Sequence, residues 1–188
     1  MNIVIIGAGK IGATLTEQLL REGHEITVVD TRTAALDAIG NTLDVMTVEG
    51  NGISMDTQVE AGVPSADLVI AVMSTDEQNL LSCLIAKRLG VGNTIARVRN
   101  PSYSHELDFI KKQIGISAII NPEMAAAKEI SHLLRFPGAS KIDTFAGGRV
   151  RLIKFALTEQ QGLDGVAIHA IPTRLKSDIL VCAVERDG

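Results

Sequence analysis

Short runs of Ile and Val recur along the first two thirds of the chain, and a longer stretch with apolar side chains every three or four positions follows most of them. Ile3-Val4-Ile5-Ile6 is the first such run. It is too short for a helix and β-branched throughout, which predicts a strand. Ile11, Leu15, Leu19 and Leu20 then fall on one face of a helix over 11–22, and Gly23 supplies its left-handed stop. The alternation continues with a strand over 26–29, a helix over 34–39, a strand over 45–49 and a helix over 55–61 capped by Ser54. A strand over 68–72, a helix over 76–89 ended by Gly90, a strand over 94–98, a helix over 102–114 after Pro101 and a strand over 118–120 complete it. Leu68–Val72 is uninterrupted in its apolar character, which marks a central strand buried on both faces. Repeated β-α units at short intervals, joined by right-handed crossovers, predict an α/β fold with a Rossmann-like, doubly wound parallel sheet.

Beyond residue 121 the register breaks. Pro122 opens a helix over 123–134 that Pro137-Gly138 closes, and no strand follows it directly. From Lys141 the texture changes. Val150–Leu157 and Ile179–Val184 read as strands, with a turn at Leu163–Val166 between them. Asp187-Gly188 is a hairpin-turn signal with no return strand after it, so this last part reads as cut short. The expected organisation is a Rossmann domain over 1–121, a crossover helix and linker over 122–140, and a partial small α+β lobe over 141–188.

Composition sharpens the picture in two places. Hydrophobic residues make up 46% of the chain while aromatics make up 3%, so the core must be built from Ile, Val, Leu and Ala. A net charge of −4 argues against a nucleic-acid-binding surface. Cys83 and Cys182 lack metal-ligand spacing and both read as small apolar core residues. No signal-peptide pattern precedes the first strand, and no apolar run approaches the ~20 residues of a membrane helix. A cytoplasmic location is expected.

The chemistry concentrates in Gly7-Ala8-Gly9-Lys10-Ile11-Gly12. Gly-x-Gly-x-x-Gly is a weak signal alone and a specific one immediately after a strand and at the opening of a helix. There Gly7 allows the tight turn, Gly9 lets the backbone approach a pyrophosphate, and Gly12 lets helix and strand pack closely. The helix N-terminus, with Lys10 and Ile11 in its first turn, offers N–H groups and partial positive charge. Asp30 ends the second strand, 18 residues after Gly12, where an acid accepts hydrogen bonds from ribose hydroxyls. A carboxylate there disfavours a 2′-phosphate, which predicts NAD over NADP, a preference softened by Arg32. A P-loop is excluded because Ala13 and Thr14 stand where Lys and Ser/Thr are required. Two readings are open for Lys10. It serves a free terminal phosphate such as the end of ATP, or it is a solvated lysine at a helix start.

Further segments carry a family resemblance. They are Asn2-Ile3-Val4-Ile5-Ile6-Gly7-Ala8-Gly9, Val28-Val29-Asp30, Glu49-Gly50-Asn51-Gly52, Ser74-Thr75-Asp76-Glu77-Gln78-Asn79, Ala96-Arg97-Val98-Arg99 and Asn121-Pro122-Glu123. With them, residues 1–140 resemble the RCK (KTN) nucleotide-binding domain of bacterial potassium transport, and the tail resembles the beginning of the small C-terminal RCK lobe. The resemblance implies a regulatory subunit at the inner face of the cell membrane. It assembles as a homo-oligomer, a dimer or a ring, against a membrane potassium-transport subunit. Binding of NAD(H), with ATP/ADP at the same site, gates transport. Carried over by position, Gly50 and Asn51 lie by the adenine, while Ser74 and Thr75 face the dinucleotide. At least one of Arg97 and Arg99 approaches phosphates of the nucleotide or a neighbouring subunit, or the two make ordinary salt bridges to an acid such as Glu77. Glu123 helps bind a divalent cation between subunits, or complements the dipole of its own helix.

The alternative is an NAD-dependent oxidoreductase acting on a small substrate. Hydride transfer needs a substrate pocket and usually a general acid or base. His24 falls in a turn, His105 and His132 on helices, and His169 in the tail, none of them at the carboxyl end of a strand where catalytic groups of such a fold belong. Tyr103 has no lysine four residues later, and the segment after the Rossmann unit is too small for an ordinary substrate domain. A regulator is therefore the expected class.

Overall fold

The computed structural model describes residues 1–103, 106–135, 138–146, 149–158 and 161–186. His105, expected on a helix, Pro137, expected to close one, and the Asp187-Gly188 turn lie outside the described residues. The chain divides into two compact units, Met1–Ala127 and Lys128–Gly188.

The first unit alternates strand and helix as the hydrophobic pattern dictates. Its elements run β1 (Asn2–Ile6), α1 (Lys10–Arg21), β2 (Glu25–Asp30), α2 (Thr33–Gly40), β3 (Met46–Glu49) and α3 (Met55–Glu60). They continue with β4 (Leu68–Ala71), α4 (Asp76–Arg88), β5 (Asn93–Arg97), α5 (Leu107–Ile114), β6 (Ala118–Ile120) and the start of α6 (Pro122–Arg135). The strands form one parallel sheet in the order β3-β2-β1-β4-β5-β6. The order reverses between β1 and β4, so the crevice at the carboxyl ends of these two strands is the topological switch point.

Alternation of side chains along β1 assigns the two faces of the sheet. Ile3 and Ile5 join Val28 and Ile70 beneath Leu36 and Ile39 of α2, with Ile11, Leu15 and Leu19 of α1 packed against them. Val4 and Ile6 point the other way, to Val29, Val48, Val69 and Ala86. Both faces are covered, which is why β1 and β4 are apolar at nearly every position. A third cluster joins Ala71, Cys83, Ala96, Val98 and Ile116. Gly23 and Gly90 end their helices with φ of +82° and +103°, as the sequence predicts.

Two local readings change. The expected helix over 102–114 is a 3-10 turn at Pro101–Tyr103 followed by α5, so Tyr103 ends a turn and does not begin a helix. Ser54 occupies the N-cap of α3, but its side chain makes no capping hydrogen bond.

The second unit departs further from expectation. An antiparallel pair, β7 (Ala139–Phe145) and β8 (Val150–Phe155), is its sheet among the described residues. The segment that forms β7 was not expected as a strand. Ile179–Val184 was expected as one and is irregular instead. A strand needs a neighbour to take up its backbone N–H and C=O groups, and this run pairs with none among the described residues. Its Leu180 is 85% exposed. A short α7 (Ile171–Leu175) precedes this run.

The cysteines separate accordingly. Cys83 is fully buried in α4, and burial pushes its thiol up to about 12. Cys182 is exposed within the irregular run, which corrects its reading as a core residue. Native protein treated with iodoacetamide near pH 8 should therefore be alkylated at Cys182, with Cys83 modified only on unfolding. Peptide mass mapping checks this, and rapid native labelling of Cys83 would contradict the packing of α4 on the sheet.

Candidate nucleotide-binding site

The site is built where the chain leaves β1. Gly7 turns with φ +114°, and its N–H donates to Val29 O at 2.7 Å. A side chain at Gly7 would put Cβ 2.9 Å from the backbone of Val72 and Met73, so the loop lies hard against the end of β4. At Gly12 a Cβ would stand 1.8 Å from the Gly7 carbonyl oxygen. Both glycines are thus required by packing within the protein itself. Gly9 is not, because its φ is −75° and a Cβ there would meet nothing within 4 Å. Its missing side chain leaves open space at the N-terminus of α1, where helix N–H groups face outward. Lys10 is exposed beside it, and its ammonium has no partner among the described residues. Ile11 turns its side chain into the core and lends the loop only its backbone.

Asp30 closes one side. Its Oδ2 accepts from Ala8 N–H at 2.7 Å, which ties the glycine loop to the end of β2. Oδ1 accepts from Arg32 N–H at 2.9 Å and from Arg32 Nε at 3.1 Å, and Nη2 of the same guanidinium donates to Oδ2 at 3.3 Å. Burial pushes this carboxyl up, but the Arg32 guanidinium and the two backbone N–H groups outweigh it and hold the group below 3.8. Next to it, Gly50 N–H donates to Asp30 O at 3.0 Å. Asn51 is exposed and its Oδ1 accepts from Ile53 N–H at 3.2 Å.

The other side is formed by the ends of β4, β5 and β6. Thr75 caps α4, its hydroxyl accepting from Gln78 N–H, while the exposed Ser74 gives its carbonyl to Arg99 Nη2 at 2.5 Å. Arg97 Nη2 pairs with Glu123 Oε1 at 2.5 Å. Glu77, offered by the sequence as a salt-bridge partner for the arginines, accepts instead from the Tyr103 hydroxyl at 2.6 Å. Burial is the largest single influence on the Glu123 carboxyl and raises it, but Arg97, the Glu123 backbone N–H and Arg99 together outweigh it, and the net direction is down. A divalent cation at Glu123 would therefore compete with Arg97, and no group of three or more His, Cys, Asp or Glu able to hold a metal occurs among the described residues. His24 lies in the turn before β2 and pairs weakly with Glu22 at 3.8 Å. His169 sits in a 3-10 turn of unit two.

Several residues that shape the site escaped the sequence reading. Asn79, 1% exposed, accepts from Met73 N–H with Oδ1 and donates with Nδ2 to Met73 O and Arg97 O, fastening the end of β4 to that of β5. Asp76 Oδ2 accepts from the N–H groups of Arg99 and Asn100. Asn121 donates to Arg99 O and caps α6. Gln58 and Ser82, both fully buried, converge on Gly52 O at 2.8 and 3.0 Å and fix the loop that carries Gly50 and Asn51. A signal was present. Asp76, Asn79, Ser82, Cys83 and Ala86 make one helical stripe facing the sheet, and its polar members mark buried hydrogen-bond work.

Fold and loop together define a Rossmann-like domain of the NAD(P)-binding type, with the glycine turn at the switch point of its sheet. The chain belongs to the TrkA-N domain family, whose model matches residues 3–122. It is 34% identical over its whole length to a Trk system potassium uptake protein TrkA homolog of Archaeoglobus fulgidus. It is 40% identical over 155 residues, 81% of the chain, to the Trk system potassium uptake protein TrkA of Halomonas elongata. The chain spans 42% of the length of the first of these relatives and 34% of the second. Among solved structures, the TrkA-N domain of the Escherichia coli inner membrane protein ybaL overlays 71% of the chain and 96% of its own, with a TM-score of 0.62 at 21% identity. The GsuK channel bound to NAD overlays 77% of the chain and 25% of its own, with a TM-score of 0.63 at 19% identity. These two likenesses bear on the fold.

Two predictions follow from the loop itself. Gly9→Ala should leave the thermal midpoint almost unchanged, within the equivalent of about 0.5 kcal/mol, whereas Gly12→Ala should lower it by several degrees. Calorimetric melts distinguish them, and equal destabilisation would mean Gly9 is also required by packing. Asp30 gives a pH signature. Its folded-state value is depressed, so its contribution is present above pH 3.8 and is lost as pH falls through the lower folded value. Asp30→Asn should flatten the acid limb of stability below that point in denaturant titrations.

Proposed function

We propose that this domain is the nucleotide sensor of a potassium-uptake system, a regulator and not an enzyme. The observation that carries the reading is the glycine loop. Gly7 and Gly12 are explained by the fold and Gly9 is not; beside its open space Lys10 has no partner among the described residues, and Asp30 is tied to the same loop through Ala8 N–H. A pyrophosphate placed there meets the N–H groups and partial positive charge of α1. Asp30 takes the adenosine ribose, which favours NAD(H) over its 2′-phosphorylated form. Gly50 and Asn51 border the adenine, and Ser74, Thr75, Arg97 and Arg99 border the remainder of the ligand.

Potassium enters through the relatives, which are named as potassium uptake proteins. By that kinship the domain acts from the cytoplasmic side on a membrane subunit of the TrkH type, as part of a homo-oligomeric dimer or ring. NAD(H) and ATP/ADP compete for one site. They shift the assembly only if they bind its states with different affinity. Lys10 supplies the difference by meeting the free terminal phosphate of ATP, which NAD lacks. Glu123, released from Arg97, is the carboxylate that a divalent cation between subunits would use.

Titration calorimetry with NADH, ADP and ATP, combined with light scattering, tests this. Binding of both nucleotide types with a change in assembly and no turnover supports it. Asp30→Ala should weaken NADH by about tenfold or more, the worth of hydrogen bonds to a charged group. Lys10→Ala should weaken ATP more than NADH. NADH binding alone, with oxidation when carbonyl compounds are added, would replace the regulator with a dehydrogenase.

A further inference from the structure

Asp30 is a crowded carboxylate. Its side chain is 11% exposed, and the Arg32 side chain that pairs with it is 63% exposed. An ionised carboxylate offers about four acceptor positions, two on each oxygen. Ala8 N–H takes one on Oδ2 and Arg32 N–H takes one on Oδ1, both from backbone that is part of the fold. The guanidinium takes the second on each, Nε on Oδ1 and Nη2 on Oδ2. The groups of Asp30 that remain for a ribose are therefore those that Arg32 already holds.

We propose that Arg32 is an intramolecular competitor that masks the ribose subsite and sets its selectivity. The inference rests on the nucleotide-binding reading above. A fork of two N–H donors and a vicinal diol of two O–H donors present the same pattern to a carboxylate, one hydrogen bond to each oxygen. Withdrawal of the guanidinium uncovers one acceptor on each of the adjacent oxygens, which two neighbouring hydroxyls satisfy together. A ligand with one hydroxyl there fills one acceptor and leaves the other without its former partner. Arg32 thus raises the threshold for every ligand, and most of all for those lacking the full diol. Its release is inexpensive because the side chain is exposed and regains water and rotamer freedom.

The sign of the effect separates this from simple charge. ADP is an anion, so deleting a nearby cation by itself lowers ADP affinity. Removal of a mask raises it.

Calorimetry with ADP and 2′-deoxy-ADP on the full chain and on Arg32→Ala, Arg32→Lys and Asp30→Ala tests the proposal, with circular dichroism melts to confirm folding. Arg32→Ala should bind ADP about threefold more tightly, the scale of an exposed ion pair, and should gain more for 2′-deoxy-ADP, so that discrimination against the deoxy ligand narrows. Arg32→Lys, which keeps the charge and loses the fork, should fall between. Unchanged or weaker ADP binding by Arg32→Ala, with binding still lost in Asp30→Ala, overturns the mask and leaves the ribose contact standing. ADP binding indifferent to both residues, or absent from the unaltered chain, overturns the ribose reading and the mask together.

Discussion

Contact between α1 and the turn before it governs this domain. A single Cβ at Gly12 would stand 1.8 Å from the carbonyl oxygen of Gly7, so the helix sits as close to the turn as backbone atoms allow. That closeness places the start of α1 directly over the end of β1, at the point where the strand order reverses. Everything nearby depends on it. Gly7 must adopt φ +114° to give its N–H to Val29, and Ala8 is thereby presented to Asp30. Burial raises the carboxyl, but the Arg32 guanidinium and the N–H groups of Ala8 and Arg32 lower it further, and the carboxylate in turn steadies the loop through Ala8. Loop and acid are one unit, and a change in either is felt by the other.

The opposite wall is held by side chains. Asn79, Asp76 and Asn121 take up backbone groups at the ends of β4 and β5 that no helix or sheet ladder serves. Buried polar groups are costly when unpaired, so such ties fix loop positions more firmly than apolar contact does. Their effect is to fix the ends of β4 and β5 and the segments after them, which carry Ser74, Thr75, Arg97 and Arg99.

Much of this was legible in the sequence, for a stated physical reason. Strands, helices and the glycine loop are written in local pattern: β-branched runs, helical spacing, glycine where φ is positive or backbones touch. Asp30 was legible because its distance from Gly12 is set by one β-α-β unit. Partnerships across the sheet were not. That Arg97 meets Glu123 while Glu77 meets Tyr103 depends on which loops the strand order brings side by side. Gln58 was silent because a lone polar residue on a short helix carries no sign of the carbonyl it will serve. In the second unit local pattern misled. Ile179–Val184 has the composition of a strand, but composition cannot supply the neighbouring strand that would make it one.

The proposed function asks that binding alter a structure, and the site is suited to that by being already occupied from within. Asp30 is held by Arg32, Arg97 by Glu123, and Arg99 by Ser74. A ligand that engages these groups exchanges partners and does not fill vacancies. Two of these exchanges free a side chain anchored elsewhere: Arg32 just ahead of α2, Glu123 in the first turn of α6. At these three groups the net gain is small compared with the gross contacts, since each new hydrogen bond there is offset by a lost one. The gain is that ligands with different numbers of hydroxyls and free phosphates break different internal pairs. Two nucleotides that share an adenosine then leave the domain with different sets of released groups, and a regulator must distinguish its ligands by such differences.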